Sequence, residues 1–358
     1  MAQALITSRA TARWACGARI NANIPARYMT VAPVGLTGFG PVGQGGVSSG
    51  SASVTGVRVA GSEDVLVNIG RVGVWSGELV RLPASQSRAI ARAIEDLGYG
   101  AVWYPESFTK EALAQAAVLL AATDRLAVCT GIANIWARDP VAMANGARTI
   151  AEAFPGRFVL GIGVSHDPTV AARGHDYQRP LATMRGYLDA MDEAPYHGAP
   201  PEALAPTVLA ALGPKMLELA AARTAGAHPY FVPVEHTRVA RSVMGEGPLL
   251  APEQAVVNST DPDAARAAAR NHMAMYLRLS NYRNNLLRLG WEQADLDAGG
   301  SDRLVDAIVA WGDEEAIASR VSAHLDAGAD HVCVQVLPTD DDSPVPGLRA
   351  LASSLLSL

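Results

Sequence analysis

The chain has 358 residues, 49% hydrophobic and 18% charged, which is enough apolar material for a large core and excludes global disorder. A net charge of −6 argues against a nucleic-acid binder, and no apolar run approaches the roughly 20 residues a membrane-spanning helix needs. Cys16, Cys129 and Cys333 stand far apart with no C-x-x-C pair. That excludes a disulfide scaffold or a cysteine zinc site and fits a reducing, cytoplasmic setting.

The start differs from the rest. The first 62 residues carry Arg9, Arg13, Arg19, Arg27 and Arg58 with no acidic residue, and nine glycines fall between Val34 and Ser62. Without those five charges the remainder goes from −6 to −11. An Arg-rich, acid-free start resembles an organelle transit peptide. The plainer reading takes 1–65 as a disordered or mis-started extension that lacks the composition for a core, and 66–358 as the folded domain.

From Ile69 on, short β-branched runs alternate with helical periods. Val72–Trp75 reads as a first strand, followed by a helix over Ser85–Leu97 that Gly98 stops. Ala101–Tyr104 is a second strand, closing on Pro105-Glu106-Ser107, and a helix over 111–122 leads to a third at Leu126–Ile132. A helix at Pro140–Ala153 precedes the fourth, Arg157–Gly163. Later strands are expected at Thr207–Leu212, His228–Val232, Ala255–Val257 and His331–Leu337. Eight strands alternating with helices imply a parallel α/β sheet, and the count favours a closed (β/α)8 TIM barrel. Residues 261–312 depart from the repeat, with helices expected at Asp261–Leu277, Asn281–Leu289 and Ser301–Trp311. In a barrel this insertion between strands seven and eight covers the mouth.

Barrel sites lie at the C-terminal ends of the strands, which directs attention to four places. After the fourth strand, Gly161-Ile-Gly163-Val164-Ser165-His166 offers backbone and hydroxyl donors for a phosphate, but lacks the third glycine of a dinucleotide fingerprint. His166 reads either as a general acid or base or as a hydrogen-bonded structural histidine. Glu106 reads either as a proton-handling carboxylate or as the ion-pair partner of an arginine such as Arg138. Thr130-Gly131-Ile132, with Asn134 nearby, carries a glycine inside a β-branched run: a bulge, a close approach by ligand, or simple packing. Leu212-Gly213-Pro214-Lys215 opens a helix, where amides and Lys215 form either an anion site or a solvated first turn. The eight histidines show no metal-ligand spacing, and no nucleophile elbow or nucleotide-hydrolase loop occurs. Tyr276, Tyr282, Asn281, Asn284 and Asn285 read as helix packing with a solvated face rather than as a pocket.

Gly70-Arg-Val-Gly-Val-Trp75, Gly100-Ala-Val-Trp-Tyr-Pro-Glu106 and Pro155-Gly-Arg-Phe-Val-Leu-Gly-Ile-Gly163, in that order, resemble the luciferase-like monooxygenase superfamily. The similarity runs from about residue 69 to the C-terminus and is nearest to the actinobacterial branch that uses coenzyme F420, a deazaflavin. Leu209-Ala-Ala-Leu-Gly-Pro-Lys-Met216 and Ala327-Gly-Ala-Asp-His-Val-Cys-Val-Gln335 support it. The resemblance implies a barrel with an insertion over its mouth and a homodimer acting on a small molecule, with neither nucleic acid nor membrane as partner. It implies a cofactor ring against Thr130, Gly131 and Ile132, often at a non-proline cis peptide. The phosphate side would lie by Gly163, Val164, Ser165, Leu212 and Gly213. Sugar-phosphate dehydrogenases of that branch carry an acid–histidine pair after strand two and a glutamate after strand four. Glu106-Ser107 and His166 stand at those places here, so sugar-phosphate oxidation is not expected. The expected activity is F420-dependent hydride transfer, with Glu106 and His166 handling protons. The alternatives are an FMN-dependent monooxygenase and a cofactor-binding protein without catalysis.

Overall fold

The computed structural model describes residues 56–58, 66–337 and 343–358. Gly56–Arg58, inside the stretch set aside above, pairs antiparallel with Leu66–Asn68; the rest of 1–65 lies outside the described residues.

The first four barrel strands form where the β-branched runs lie: Val72–Trp75, Ala101–Tyr104, Ala127–Thr130 and Phe158–Gly163, each wholly buried. Burial on both faces is why they read as continuous apolar runs instead of alternating ones. The fifth and sixth are short, Thr207–Leu209 and Gly226–Ala227. The sixth therefore ends before His228, where its start was expected.

Closure depends on a strand that proline interrupts. Leu249–Leu250 pairs with Gly226–Ala227, and after Ala251-Pro252 the chain continues as Glu253–Asn258, which pairs with Val332–Val336. Across the gap, Ala251 N–H donates to the Ala227 carbonyl (2.9 Å) and Cys333 N–H donates to the Pro252 carbonyl (2.9 Å). Residues 249–258 thus act as one bent seventh strand. The eighth strand, Val332–Val336, returns to the first through Val332↔Val72, and the parallel barrel is closed.

The insertion between strands seven and eight is present as helices Pro262–Tyr276, Ser280–Arg288, Gln293–Leu296 and Asp302–Ile308. It also holds a strand where helix was expected: Val309–Gly312 pairs parallel with Ala255–Asn258. Its side chains form a core separate from the main barrel core, centred on Met273, Leu286 and Leu304, with Phe231 from the loop after strand six packed into it. None of the described helices is long and apolar enough to cross a membrane.

Candidate active site

The third strand is where the barrel opens a seat for a ligand. Val128↔Phe158 and Cys129↔Val159 set its register with strand four, and pairing resumes at Ala133↔Ile162 and Asn134↔Gly163. Three residues (Thr130, Gly131, Ile132) therefore oppose two (Leu160, Gly161), a one-residue bulge. The Gly131–Ile132 peptide is cis. Gly161 permits the close approach behind it, since a Cβ there would fall 1.9 Å from the Thr130 carbonyl oxygen. Thr130 Oγ1 donates to the Gly161 carbonyl at 2.7 Å and is fully buried.

In front of the bulge lies a cavity of about 620 Å³ at the C-terminal ends of strands one to six. Gly131 and Ile132 face it, as do Val164, Ser165 and His166 after strand four and Leu212 and Gly213 after strand five. Glu106 also lines it. Thr130, Asn134, Gly163 and Lys215, expected beside a ligand, do not line it. Thr130 and Asn134 are buried just behind the bulge, and Gly163 packs against Ile132 and Ala210, whose atoms a Cβ would meet at 2.8 to 3.1 Å. Lys215 is exposed on the helix Pro214–Arg223, on the solvent side of its first turn.

Glu106 resolves toward the ion-pair reading. Its side chain is 3% exposed and pairs with the Arg138 guanidinium, which also reaches Glu111. The other bonds are backbone: Ala112 N–H donates to Oε1 at 3.0 Å and Asn134 N–H to Oε2 at 2.8 Å. Both oxygens are committed, so the carboxylate anchors the strand after the bulge to the loop after strand two. These contacts accord with the ion-pair alternative for Glu106.

His166 is the opposite case. It closes the turn after strand four, following Ser165, which holds a left-handed φ of 59°. A non-glycine residue in that region is a strain retained by its surroundings, here at the cavity edge. The ring packs 5.4 Å from Tyr282 of the insertion, with Asn281 on the same cavity wall, while Nδ1 has no partner among the described residues. Burial lowers its pKa below the ordinary 6.5, partly offset by Asn281, so the neutral base is favoured at neutral pH.

The insertion supplies residues that the sequence reading assigned to packing. Tyr276, Asn281 and Tyr282 line the cavity, with Tyr230 and Trp75 packed beside them; Asn285 is buried and Asn284 exposed, as a packing reading has it. Tyr276 and Tyr230 share a hydroxyl bond of 2.9 Å, and Tyr230 donates to Gln335 Oε1 at 2.8 Å. Burial raises both phenols, Tyr276 to about 12, so they stay neutral. The loop carrying Tyr230 is held from below by Glu253, whose Oε2 accepts from Phe231 N–H at 3.1 Å. Phe231 has φ 58°, and full burial raises Glu253 to a pKa of about 8. His228 was not singled out either; just past strand six, it reaches the deep end of the same cavity. The available signal was a histidine immediately after a Gly-Ala strand.

The fit to a tricyclic ring cofactor is chemical. Among the described residues no lysine or arginine lines the cavity, and its apolar walls include Ile132, Val164, Ala210, Leu212, Met216 and Leu279. A flat, neutral ring suits such walls. Toward strand five the surroundings change: Gly213 opens the helix Pro214–Arg223, and the Arg288 guanidinium lies 3.8 Å from where a Gly213 Cβ would be. Pro214 has no N–H and Met216 N–H donates to the Gly213 carbonyl, so the first turn offers the Lys215 amide, which with the nearby guanidinium suits a phosphate. Among the described residues no cluster is arranged to hold a metal ion.

The family model described as luciferase-like monooxygenase matches residues 69–331. A Mycobacterium tuberculosis protein provisionally named a coenzyme F420-dependent oxidoreductase is 30% identical over 120 residues, 33% of this chain and 33% of that one. The match thus spans a third of that relative's length. Among solved structures, an F420-dependent secondary alcohol dehydrogenase bound to an F420–acetone adduct superposes with TM-score 0.65 at 15% identity. It covers 80% of this chain and 99% of that one. The oxygenating component of 3,6-diketocamphane monooxygenase from Pseudomonas putida, a type II Baeyer–Villiger enzyme in complex with FMN, gives TM-score 0.58 at 15% identity over 79% and 96% of the two chains. Both structural likenesses concern the fold.

Proposed function

The chain belongs to the luciferase-like monooxygenase family, and on that premise we propose that it is a coenzyme F420-dependent oxidoreductase that transfers a hydride between the deazaflavin and a small organic substrate. The observation that carries this reading is the bulged third strand facing an apolar cavity, lined by no lysine or arginine among the described residues, whose strand-five side ends in a helix start. The similarity to an F420-dependent oxidoreductase supports the choice of cofactor.

Gly131 and Ile132 would back the ring, while Val164, Ser165, Leu212 and Gly213 would hold the sugar–phosphate side through backbone amides. When bound, the deazaflavin supplies a ring carbon that takes or gives a hydride. The protein's part is to position, dehydrate and move one proton. His166, neutral and with Nδ1 free among the described residues, takes the substrate's proton in oxidation and returns it in reduction. Asn281 and Tyr282 stand beside the ring of His166, and the insertion that carries them would limit the access of water to the cavity. Glu106 acts at one remove, by tying Asn134 and Arg138 to the wall against which the ring rests.

The fold is shared with an FMN-bound monooxygenase, which makes FMN the second reading. A fluorescence titration with F420 and with FMN separates them. Binding of F420 alone, in the micromolar range or tighter, is the expected result. Selective binding of FMN would replace the proposal by an oxygen-using monooxygenase, and binding of neither would reduce the likeness to the fold.

A further inference from the structure

His228 is 1% exposed, yet it lines the cavity at its deep end. Its Nδ1 lies 2.7 Å from the Ala251 carbonyl oxygen. A carbonyl only accepts, so Nδ1 carries the proton and Nε2 holds a lone pair. That Nε2 has no partner among the described residues. A Cβ on Gly131 would fall 2.9 Å from it, so the nitrogen abuts the bulge itself.

The ring is also held in place. It stacks on Trp103 at 4.5 Å and 18°. Trp103 in turn donates from Nε1 to His331 Nε2 at 3.1 Å, and His331 Nδ1 donates to the Gly70 carbonyl at 2.8 Å. A chain of fixed tautomers therefore presents one acceptor to the cavity, and nothing among the described residues of the barrel floor uses it. Burial pushes the His228 pKa down to about 4, so the lone pair persists at neutral pH.

The charges around the cavity restrict what can meet this lone pair. An acceptor-only group, such as a ketone oxygen or a carboxylate, would be repelled. An ammonium donor would find no counter-charge, because the lining carboxylate, Glu106, is already paired with Arg138. We propose that His228 Nε2 is a ligand-recognition acceptor: it receives an O–H or N–H of an uncharged group, on the cofactor's ring edge or on the substrate, and pins it against the Gly131–Ile132 bulge. The inference rests on the cavity being the ligand site proposed above, and not on which cofactor fills it.

Two substitutions test it. His228→Phe removes the lone pair and keeps a flat ring; His228→Gln retains an acceptor. Titration of F420 into the wild type and both variants, read by cofactor fluorescence, gives the cofactor arm. Benzyl alcohol against toluene, titrated into F420-loaded protein and read by tryptophan quenching, gives the substrate arm. A loss of about three- to tenfold in one arm for the Phe variant, the span of one neutral hydrogen bond, with recovery in the Gln variant, is expected and names the source of the donor. Both arms within about twofold of wild type, in a Phe variant whose melting shows it folded, would overturn the proposal. Selective nitrogen-15 labelling of histidine tests the same lone pair without substitution. The unprotonated Nε2 resonance of His228 must move when F420 or benzyl alcohol saturates the protein, and an unmoved resonance overturns the proposal. If the wild type binds no F420, the deazaflavin reading fails by itself. FMN in place of F420, and the alcohol pair on the cofactor-free protein, then still decide the role of His228.

Discussion

The two sides of the cavity are built on opposite principles. Toward strands two and three, polar groups are spent on one another: Glu106 is matched by Arg138 and two backbone amides, and Thr130 by Gly161. Toward strands four to seven and the insertion, more buried polar atoms stand without partners among the described residues, His166 Nδ1, His228 Nε2 and Glu253 Oε1, against Asn134 Nδ2 on the strand-three side. Leaving such atoms unpaired costs about 1–3 kcal/mol each, so they are expected where a ligand or proton completes them. The better satisfied side is a wall, and in the function proposed above the other side would carry the chemistry. A charged residue at a strand end is thus poorer evidence of catalysis than a neutral one with an atom to spare.

Substitutions on either side test this contrast. The largest effect is expected at His166. His166→Ala should lower turnover by about 10²- to 10⁴-fold in F420-coupled assays while leaving the F420 dissociation constant unchanged. Undiminished turnover would move the proton chemistry elsewhere. At Glu106 the loss should appear in stability. Glu106→Ala strands Arg138 with only the exposed Glu111, and denaturant unfolding should show a loss of about 3 kcal/mol. A loss below about 0.5 kcal/mol, as at ordinary surface sites, would mean that the carboxylate is not the brace described.

The pH dependence of stability checks the neutral side as a whole. Burial lowers His228, His236, His272 and His331 to about 4, so the fold binds fewer protons than the unfolded chain below pH 6.5. Stability should therefore fall as pH drops from 6.5 toward 4. Glu253 has the reverse sign: raised to about 8, it keeps a proton that the unfolded chain releases, and stability falls as pH rises from 4.5 through 8. Calorimetric melting of Glu253→Gln should be flat between pH 6.5 and 8, where the wild type declines. The smallest effect is expected at Lys215, which is exposed and does not line the cavity. Lys215→Ala should change stability by no more than about 0.5 kcal/mol and F420 affinity by less than about twofold, both read in the same titrations.

The first four strands and the insertion were legible in the sequence because strands buried on both faces leave uninterrupted β-branched runs, and the insertion broke their rhythm. The seventh strand was read as Ala255–Val257 because Pro248 and Pro252 bracket its first half, and only tertiary pairing joins Leu249–Leu250 to Glu253–Asn258. Val309–Gly312 was hidden by following Ile308 without a break, so the helical period ran into it. The site was half legible. Gly131, Ile132, Ser165, Leu212 and Gly213 follow strand ends, where barrel geometry points them to the mouth. Tyr276 and Tyr282 sit on helices, where an aromatic stripe looks the same whether it meets a core or a cavity. The state of Glu106 depended on Arg138, thirty-two positions away, and pairing at that range leaves no local mark.

The cavity wall is assembled from chain segments that meet only in the finished fold. Trp75 comes from the first strand, His166 and His228 from the turns after the fourth and sixth, and Asn281 and Tyr282 from the insertion. No fragment lacking one of these segments can present the whole surface. Ligand affinity is therefore also a reporter of complete folding, and a bound ligand draws the chain toward its native state by mass action. At a concentration one hundred times its dissociation constant it would add about 2.7 kcal/mol to global stability. The melting temperature should rise with ligand concentration even if the ligand touches only the mouth of the barrel.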